Sequence, residues 1–457
     1  MTDATSIVDL LACPRCDRTP LEETDTGHRC PGCKTEFPSV SDIPWLFADP
    51  DAALGEWRRR LQFSIQQLAH EEGTVANNLK QEDLLPSTRR RLELLLAANT
   101  EHRKALTTLL APLDIGAMQE AYASHLAMRT RLPSDQGLNT YYQNVHRDWV
   151  WGDEENAASV ELIAAALDDT NVENCLVLGA GAGRLAYDLH HKVGATRTVV
   201  VDFNPMLSIV AQAMYRGDSL ELYEFPIAPS SLENVAVRQT LKAPEAADAG
   251  LHLVLADVLR APFAKGAFDT VVTPWLIDIL SEDLRIFSKR INNLLEGSGR
   301  WISFGSLAFE HPDRSRRYSP DEVSEMTVEA GFDEPVFNET TIPYMCSPLS
   351  RHGRQERVVA FRADKANKIK APARHKALPD WIVVGKEPVP ILPAFQTQTM
   401  STRIYAFIMS LIDGRRSIED MAKHLEQQRL MPREEAVPAI RSFLVRMYDD
   451  SQRNPNL

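Results

Sequence analysis

The sequence predicts an α/β protein with a metal-binding module near its start and a small helical unit near its end. Three observations carry that expectation. Apolar runs at 175–178, 198–201, 251–256, 268–273, 300–304, 336–342 and 357–361 alternate with helix-patterned stretches, which is how a seven-stranded open sheet wrapped by helices reads. Four of the six cysteines fall in two C-x-x-C knuckles. The stretch 378–450 has an apolar pattern of its own, after a segment, 351–376, rich in Lys and Arg that reads as the last strand running into a linker.

A chain of 457 residues is too long for one core. Its 44% hydrophobic and 25% charged residues exclude collagen-like and wholly disordered classes. A formal charge of −13 argues against general phosphate neutralisation, so no broad nucleic-acid binding is expected. No run approaches the roughly 18 uncharged apolar residues of a membrane span, and Met1-Thr2-Asp3-Ala4-Thr5 lacks a basic stretch leading into an apolar one. The expectation is a cytoplasmic protein with no membrane partner.

The knuckles are Cys13-Pro14-Arg15-Cys16 and Cys30-Pro31-Gly32-Cys33. Two tight turns can present four thiolates at the corners of a tetrahedron, and zinc suits that ligand set. Four Cys ligands leave no open position for water or substrate, so the predicted Zn2+ is structural and stands in for a core that a module spanning 1–50 cannot build. From 51 to 135 the pattern reads as helices, over 57–79 and 92–110, the second with Ser87 or Thr88 as a cap. The stripe of Leu92, Leu95, Leu96, Leu106, Leu109 and Leu110 reads as packing. The run Pro133-Ser134-Asp135-Gln136-Gly137 breaks the pattern. A long insertion with little periodicity, 215–250, has the length of a lid or binding loop.

Leu178-Gly179-Ala180-Gly181-Ala182-Gly183-Arg184 follows a strand and opens a helix, so its backbone can turn tightly and approach a ligand at the helix N-terminus. The loop fits either S-adenosylmethionine or a dinucleotide. Asp202, closing the next strand, can accept ribose hydroxyls under both readings. Asp257 discriminates: with Val258 beside it, after the third strand, it stands where the adenine of S-adenosyl-L-methionine lies.

Residues from about 139 to 362 resemble the carnosine N-methyltransferase family. The matching segments are Val145-His146-Arg147-Asp148-Trp149, the glycine loop, Val271-Val272-Thr273-Pro274-Trp275-Leu276-Ile277-Asp278, Trp301-Ile302-Ser303-Phe304-Gly305-Ser306-Leu307 and Ile342-Pro343-Tyr344. The resemblance implies a seven-stranded Rossmann-like methyltransferase sheet over 136–365, with S-adenosyl-L-methionine as donor and a histidine imidazole as acceptor. It implies that Arg147 holds the donor carboxylate, with Asn144 where the family has Gln, and that Asp278 grips the acceptor ring. Tyr344 matches a tyrosine of the acceptor pocket. The family's Tyr-His becomes Phe309-Glu310-His311 here, so His311 is displaced by one residue. Trp149 and Trp151 read as core. Residues 8–47, including Phe37 and Trp45, resemble zinc-ribbon activators that partner methyltransferases.

In the last segment Ile404 to Ile412 reads as a helix ending at Asp413-Gly414. Ser417 caps a second helix with Ile418, Met421, Ala422 and Leu425 on one face, and a third spans 433–447. Strand-like runs at 381–384 and 389–392 precede them. This order resembles small winged-helix domains of the PqqD-like type, which implies a leader peptide as partner; a plain packing module is the alternative. The predicted function is N-methylation of an imidazole in a peptide or histidine-containing small peptide. The alternatives are a methyltransferase of another small metabolite and a noncatalytic adaptor that keeps the fold.

Overall fold

In the computed structural model, which describes residues 5–115, 138, 141–168, 171–311, 313–375 and 386–453, the chain opens on a four-stranded antiparallel ribbon. Its strands are β1 (Glu22–Thr24), β2 (Gly27–Arg29), β3 (Glu36–Val40) and β4 (Ile43–Pro44), in that order. The knuckles flank it. The Sγ atoms of Cys13 and Cys33 lie 3.6 Å apart, those of Cys16 and Cys30 3.4 Å, and all four fall within 4.8 Å of one another. A tetrahedral ion with Zn–S bonds of about 2.3 Å needs corners roughly 3.8 Å apart, so the sulfurs already have the spacing of a closed zinc site.

The helices α1 (Pro50–Asn78) and α2 (Pro86–Leu109) follow. Asp49 caps α1 by accepting from the Ala52 N–H at 3.4 Å. The expected cap by Ser87 or Thr88 is not what starts α2. Pro86 occupies its first turn after Leu85, with no side-chain cap, because proline's fixed φ begins the helix and leaves both hydroxyls already inside it. Arg103 joins the two helices through Glu72 at 2.6 and 3.1 Å. The break expected at 133–137 lies outside the described residues.

A short helix α3 (Tyr142–His146) runs into a π-turn, Arg147–Trp151, and then α4 (Asp153–Leu167). Next come β5 (Asn174–Leu178), α5 (Arg184–Val193), β6 (Arg197–Asp202) and α6 (Pro205–Tyr215). The 215–250 insertion is more regular than its sequence suggested. It folds as an antiparallel hairpin of β7 (Ser219–Glu224) and β8 (Val237–Lys242), with Leu222 and Leu241 buried and Glu221 paired to Arg238 outside. Polar residues at inward positions, Glu224 and Gln239, and the outward Tyr223 broke its two-residue period. The chain continues through β9 (Leu251–Leu255), β10 (Phe268–Pro274), α7 (Leu284–Leu294), β11 (Leu295–Gly305), α8 (Pro320–Glu329), β12 (Val336–Tyr344) and β13 (Arg354–Asp364).

All seven expected strands pair in one sheet, ordered β12-β13-β11-β10-β5-β6-β9, with β13 antiparallel to both its neighbours. The chain steps outward from β5 through β6 to β9, then returns to β10 on the other side of β5. That switch opens a crevice at the carboxyl ends of the strands. Side chains alternate between the faces: Val177, Val200 and Ile302 meet α4, α5 and α6, while Leu176, Val199 and Trp301 meet α7, α8 and the ribbon. Each such buried side chain contributes roughly 1.5–3 kcal/mol.

The ribbon is not self-contained. The Leu46 N–H donates to Leu255 O at 2.8 Å and Trp45 bridges the same residue, so the ribbon covers the edge of β9. Leu11 pairs with Phe263 just beyond that strand, and Leu11, Phe37 and Leu46 join the sheet's own core.

Residues 384–457 form a second compact unit, separate from 1–383. It holds α9 (Pro393–Ser410), α10 (Ile418–Gln427) and α11 (Arg433–Arg453) around Ile408, Met421, Ala422, Leu425 and Ile440. Ser417 and Asp420 form a reciprocal capping box on α10. The run 389–392 is not a strand, because Pro388, Pro390 and Pro393 remove the donors a ladder needs; 381–384 lies outside the described residues. No helix among the described residues is long and apolar enough to cross a membrane.

Metal analysis should find one zinc per chain. Cys13→Ser should lose the ion and lower Tm by more than about 5 °C, read by calorimetry, because the ribbon shares the sheet's core.

Candidate active site

At the carboxyl ends of β5, β6 and β9 the glycine loop makes the first wall of the crevice. Gly179 has φ +76°, and a Cβ there would lie 2.9 Å from Leu276; at Gly183, with φ +91°, it would lie 2.6 Å from the Tyr215 hydroxyl. Gly183 is held to glycine by packing, against Ala211 as well, and by its φ, and Gly179 by its φ. Gly181 also has positive φ, +61°, yet no atom lies within 4 Å of where its Cβ would be, so the loop's crest is open. A cradle of this shape fits a nucleoside-bearing ligand.

The segment Arg147-Asp148-Trp149 buttresses this loop. Trp149 is 3% exposed and its Nε1–H donates to Ala182 O at 2.8 Å. Asp148 accepts from Arg147 Nε at 2.7 Å with one oxygen and from the Arg184 N–H, in the first turn of α5, at 3.4 Å with the other. The Arg184 guanidinium donates back to Asp148 O at 3.0 Å and lies 5.6 Å from the Trp149 ring centroid. Burial works against the charge on Arg147, but the Asp148 and Glu155 carboxylates overcome it and raise its pKa. Asn144 lies one helical turn earlier, half-buried on α3.

Asp202 ends β6. One oxygen accepts from the Gly181 N–H at 2.9 Å and the other from the Asn204 N–H at 2.8 Å. Burial pushes its pKa up to about 6. A carboxylate offers about four lone-pair positions, so two remain beside the loop. Asp257 caps the turn after β9 by accepting from the Leu259 N–H at 2.8 Å, with Val258 buried next to it, and burial raises its pKa too.

Across the crevice, Asp278 follows β10. Its Oδ2 accepts from Ser306 Oγ at 3.2 Å and from the Ala308 N–H at 3.0 Å, which ties it to the exit of β11. Its Oδ1 has no protein partner among the described residues. Tyr344, ending β12, packs on Trp275 with ring centroids 4.9 Å apart. Three non-glycine residues here adopt positive φ: Trp275 after β10, Leu307 after β11 and Met345 after β12, at 50°, 51° and 54°. Such strain gathers where several strand ends are held to one geometry; sequence reasoning missed it, since none of the three residue types signals it. His311 is turned into its own loop. Arg316 Nη1 lies 3.0 Å from its Nε2, and its Nδ1 lies 3.1 Å from the Asp313 backbone N and 3.3 Å from the Asp313 carbonyl. No hydrogen bond joins His311 to Asp278 among the described residues.

Beyond Tyr344 lies a cleft of about 140 Å³ that the sequence did not signal. Its lining includes Gln143, His146, Trp151, Glu224, Tyr344 and Arg354, drawn from α3, the π-turn, the hairpin and the β12–β13 connection. The insertion thus contributes Glu224 to this cleft.

A glycine loop after the first strand, acids closing the second and third, and this strand order define a class I S-adenosylmethionine-dependent methyltransferase. The family model for carnosine N-methyltransferase matches residues 133–365, half of the chain, and the chain belongs to that family. No curated protein matches it in sequence. Among solved structures it is similar to the N-methyltransferase NodS from Bradyrhizobium japonicum, at 16% identity over 50% of this chain and 99% of that one, with a TM-score of 0.33. It is also similar to the 1,6-didemethyltoxoflavin-N1-methyltransferase of Burkholderia thailandensis, at 19% identity over 50% and 85%, with a TM-score of 0.31.

Asp202→Asn should weaken donor binding by about 1–3 kcal/mol in calorimetry, through the lost acceptors beside the loop. In the wild type, affinity should fall as pH drops through about 6, where Asp202 takes up a proton and ceases to accept from two hydroxyls. The variant should lose that pH dependence.

Proposed function

We propose that the chain methylates an imidazole nitrogen, in a histidine-containing small peptide or in a histidine of a longer peptide. The observation that carries this reading is Asp278, anchored through one oxygen and open at the other, at the carboxyl edge of the sheet beside the Trp275–Tyr344 wall. S-adenosyl-L-methionine, when bound, supplies an electrophilic methyl group. On this reading Gly179, Gly181 and Gly183 admit its backbone, Asp202 takes the ribose, Asp257 and Val258 the adenine, and Asn144 and Arg147 the methionine end. Arg147 carries five N–H donors, of which its carboxylate neighbours occupy part.

A neutral imidazole has a lone pair on one nitrogen and an N–H on the other. Asp278 Oδ1, accepting that N–H, selects the tautomer whose bare nitrogen faces away from the acid. It also favours the positive charge that grows on the ring as the N–C bond forms, and then receives or relays the proton the product sheds. Because Ser306 and Ala308 hold Oδ2, the carboxylate cannot swing to follow the ring, and orientation supplies much of the rate. Tyr344 and Trp275, their rings tilted 52° to each other, offer an aromatic corner for the acceptor ring.

For the C-terminal unit we infer a peptide-capture role. Ile391, Met400, Met409 and Ile412 are exposed apolar side chains on or beside α9, which supports it. A tethered precursor would meet Asp278 at raised effective concentration.

Asp278→Asn should lower turnover at least about 100-fold while donor affinity stays within about threefold of wild type, because the amide cannot stabilise an imidazolium. Isotopically labelled donor and mass spectrometry of a histidine dipeptide product should place the label on the ring; label elsewhere overturns the acceptor reading. Deleting 386–457 should raise KM for a long histidine-bearing precursor much more than for the dipeptide, and equal effects would leave the unit a packing module.

A further inference from the structure

The cleft beyond Tyr344 contains a buried acid that no cation balances. Glu224, at the end of β7, is 4% exposed. Its Oε1 accepts from Ser347 Oγ and its Oε2 from Gln239 Nε2 at 2.9 Å, both neutral donors, and no ion pair involves it among the described residues. A carboxylate withdrawn from water without a cation is costly, and two of its lone-pair positions remain unfilled.

His146 lines the same cleft and is 1% exposed. Its Nε2 lies 3.2 Å from Tyr223 O. A carbonyl can only accept, so Nε2 carries the proton and Nδ1 is a bare lone pair. That Nδ1 is buried and without a partner. Burial lowers the ring's pKa to about 4, so it stays neutral and offers an acceptor at ordinary pH. Trp151 and Tyr344 add aromatic faces to the lining. Arg354, the guanidinium on the lining, is committed to Glu356 at 2.8 Å and to the Tyr344 ring at 4.5 Å.

Two unsatisfied acceptors, one of them on an acid, beside aromatic walls make a place for a group that carries several N–H donors and a positive charge. We propose that this cleft is an ammonium subsite, in which Glu224 and His146 Nδ1 receive a primary amine that the methyl acceptor carries apart from its methylated nitrogen. Glu224 is then a specificity-determining residue, supplied by the inserted hairpin rather than by the sheet. The proposal deepens the acceptor reading above and rests on it for the neighbouring methyl-transfer position.

The test uses the full chain with S-adenosylhomocysteine present and two pairs of probes, glycyl-histidine with its N-acetyl form and glycyl-phenylalanine with its N-acetyl form. In calorimetry the free amine should bind at least about tenfold more tightly than its acetylated twin in each pair, the scale of a charge-assisted hydrogen bond. Glu224→Gln should reduce that ratio to less than about threefold, mainly by weakening the free amine. Wild-type protein that binds both members of each pair equally, or binds none, overturns the subsite, and this comparison needs no variant to fold. A folded Glu224→Gln that keeps the full preference overturns the role of Glu224. Amine preference without methyl on the imidazole leaves the subsite standing and removes the acceptor reading. Imidazole methylation without amine preference does the reverse.

Discussion

Asp148 holds the donor side of the molecule together. The residue is 1% exposed and commits both oxygens, one to the Arg147 guanidinium and one to the backbone N–H that opens α5. A carboxylate in that position also meets the positive end of the helix dipole. With Trp149 bonded to Ala182 O, three consecutive residues of a π-turn fix the glycine loop, whose own residues have little side chain to fix it with. Removing Asp148 would leave Arg147 with Glu155 alone and free the first turn of α5, so loop shape and arginine position depend on one group.

The same economy appears at the sheet's edge. An open β9 would present unpaired backbone groups next to Asp257. The ribbon pairs with that strand and with the segment around Phe263, so the module that carries the four-cysteine cluster also supports the loop that carries Asp257 and Val258. Zinc held by the four cysteines would therefore support that loop through packing and backbone pairing.

On the acceptor side the constraint is conformational. Trp275, Leu307 and Met345 each take up left-handed backbone at the end of a different strand. Their strain is borne by a sheet that over-determines it. Asp278 and Ser306, from the ends of two strands, are joined by a hydrogen bond, while Tyr344 from a third strand and Glu224 from the hairpin line one cleft.

The sequence by itself determined the strands, the knuckles and the donor loop, because these depend on local patterns: apolar runs, cysteine spacing, glycines at a strand-to-helix turn. It also determined that Asp202, Asp257 and Asp278 each follow a strand, and so lie at one edge of the sheet. Only the tertiary structure decided what each acid touches, that Arg147 is shared between Asp148 and Glu155, and that His311 is held by Arg316. The hairpin was missed because the polar pair Glu224 and Gln239 on its inward face breaks its period, and 389–392 was misread because prolines outweigh its apolar residues. Glu224 and His146 are separated by some eighty positions and meet only through the fold. Spacing along a chain reports local geometry, whereas an unbalanced buried charge is a property of the surroundings, and those exist only once the elements have packed.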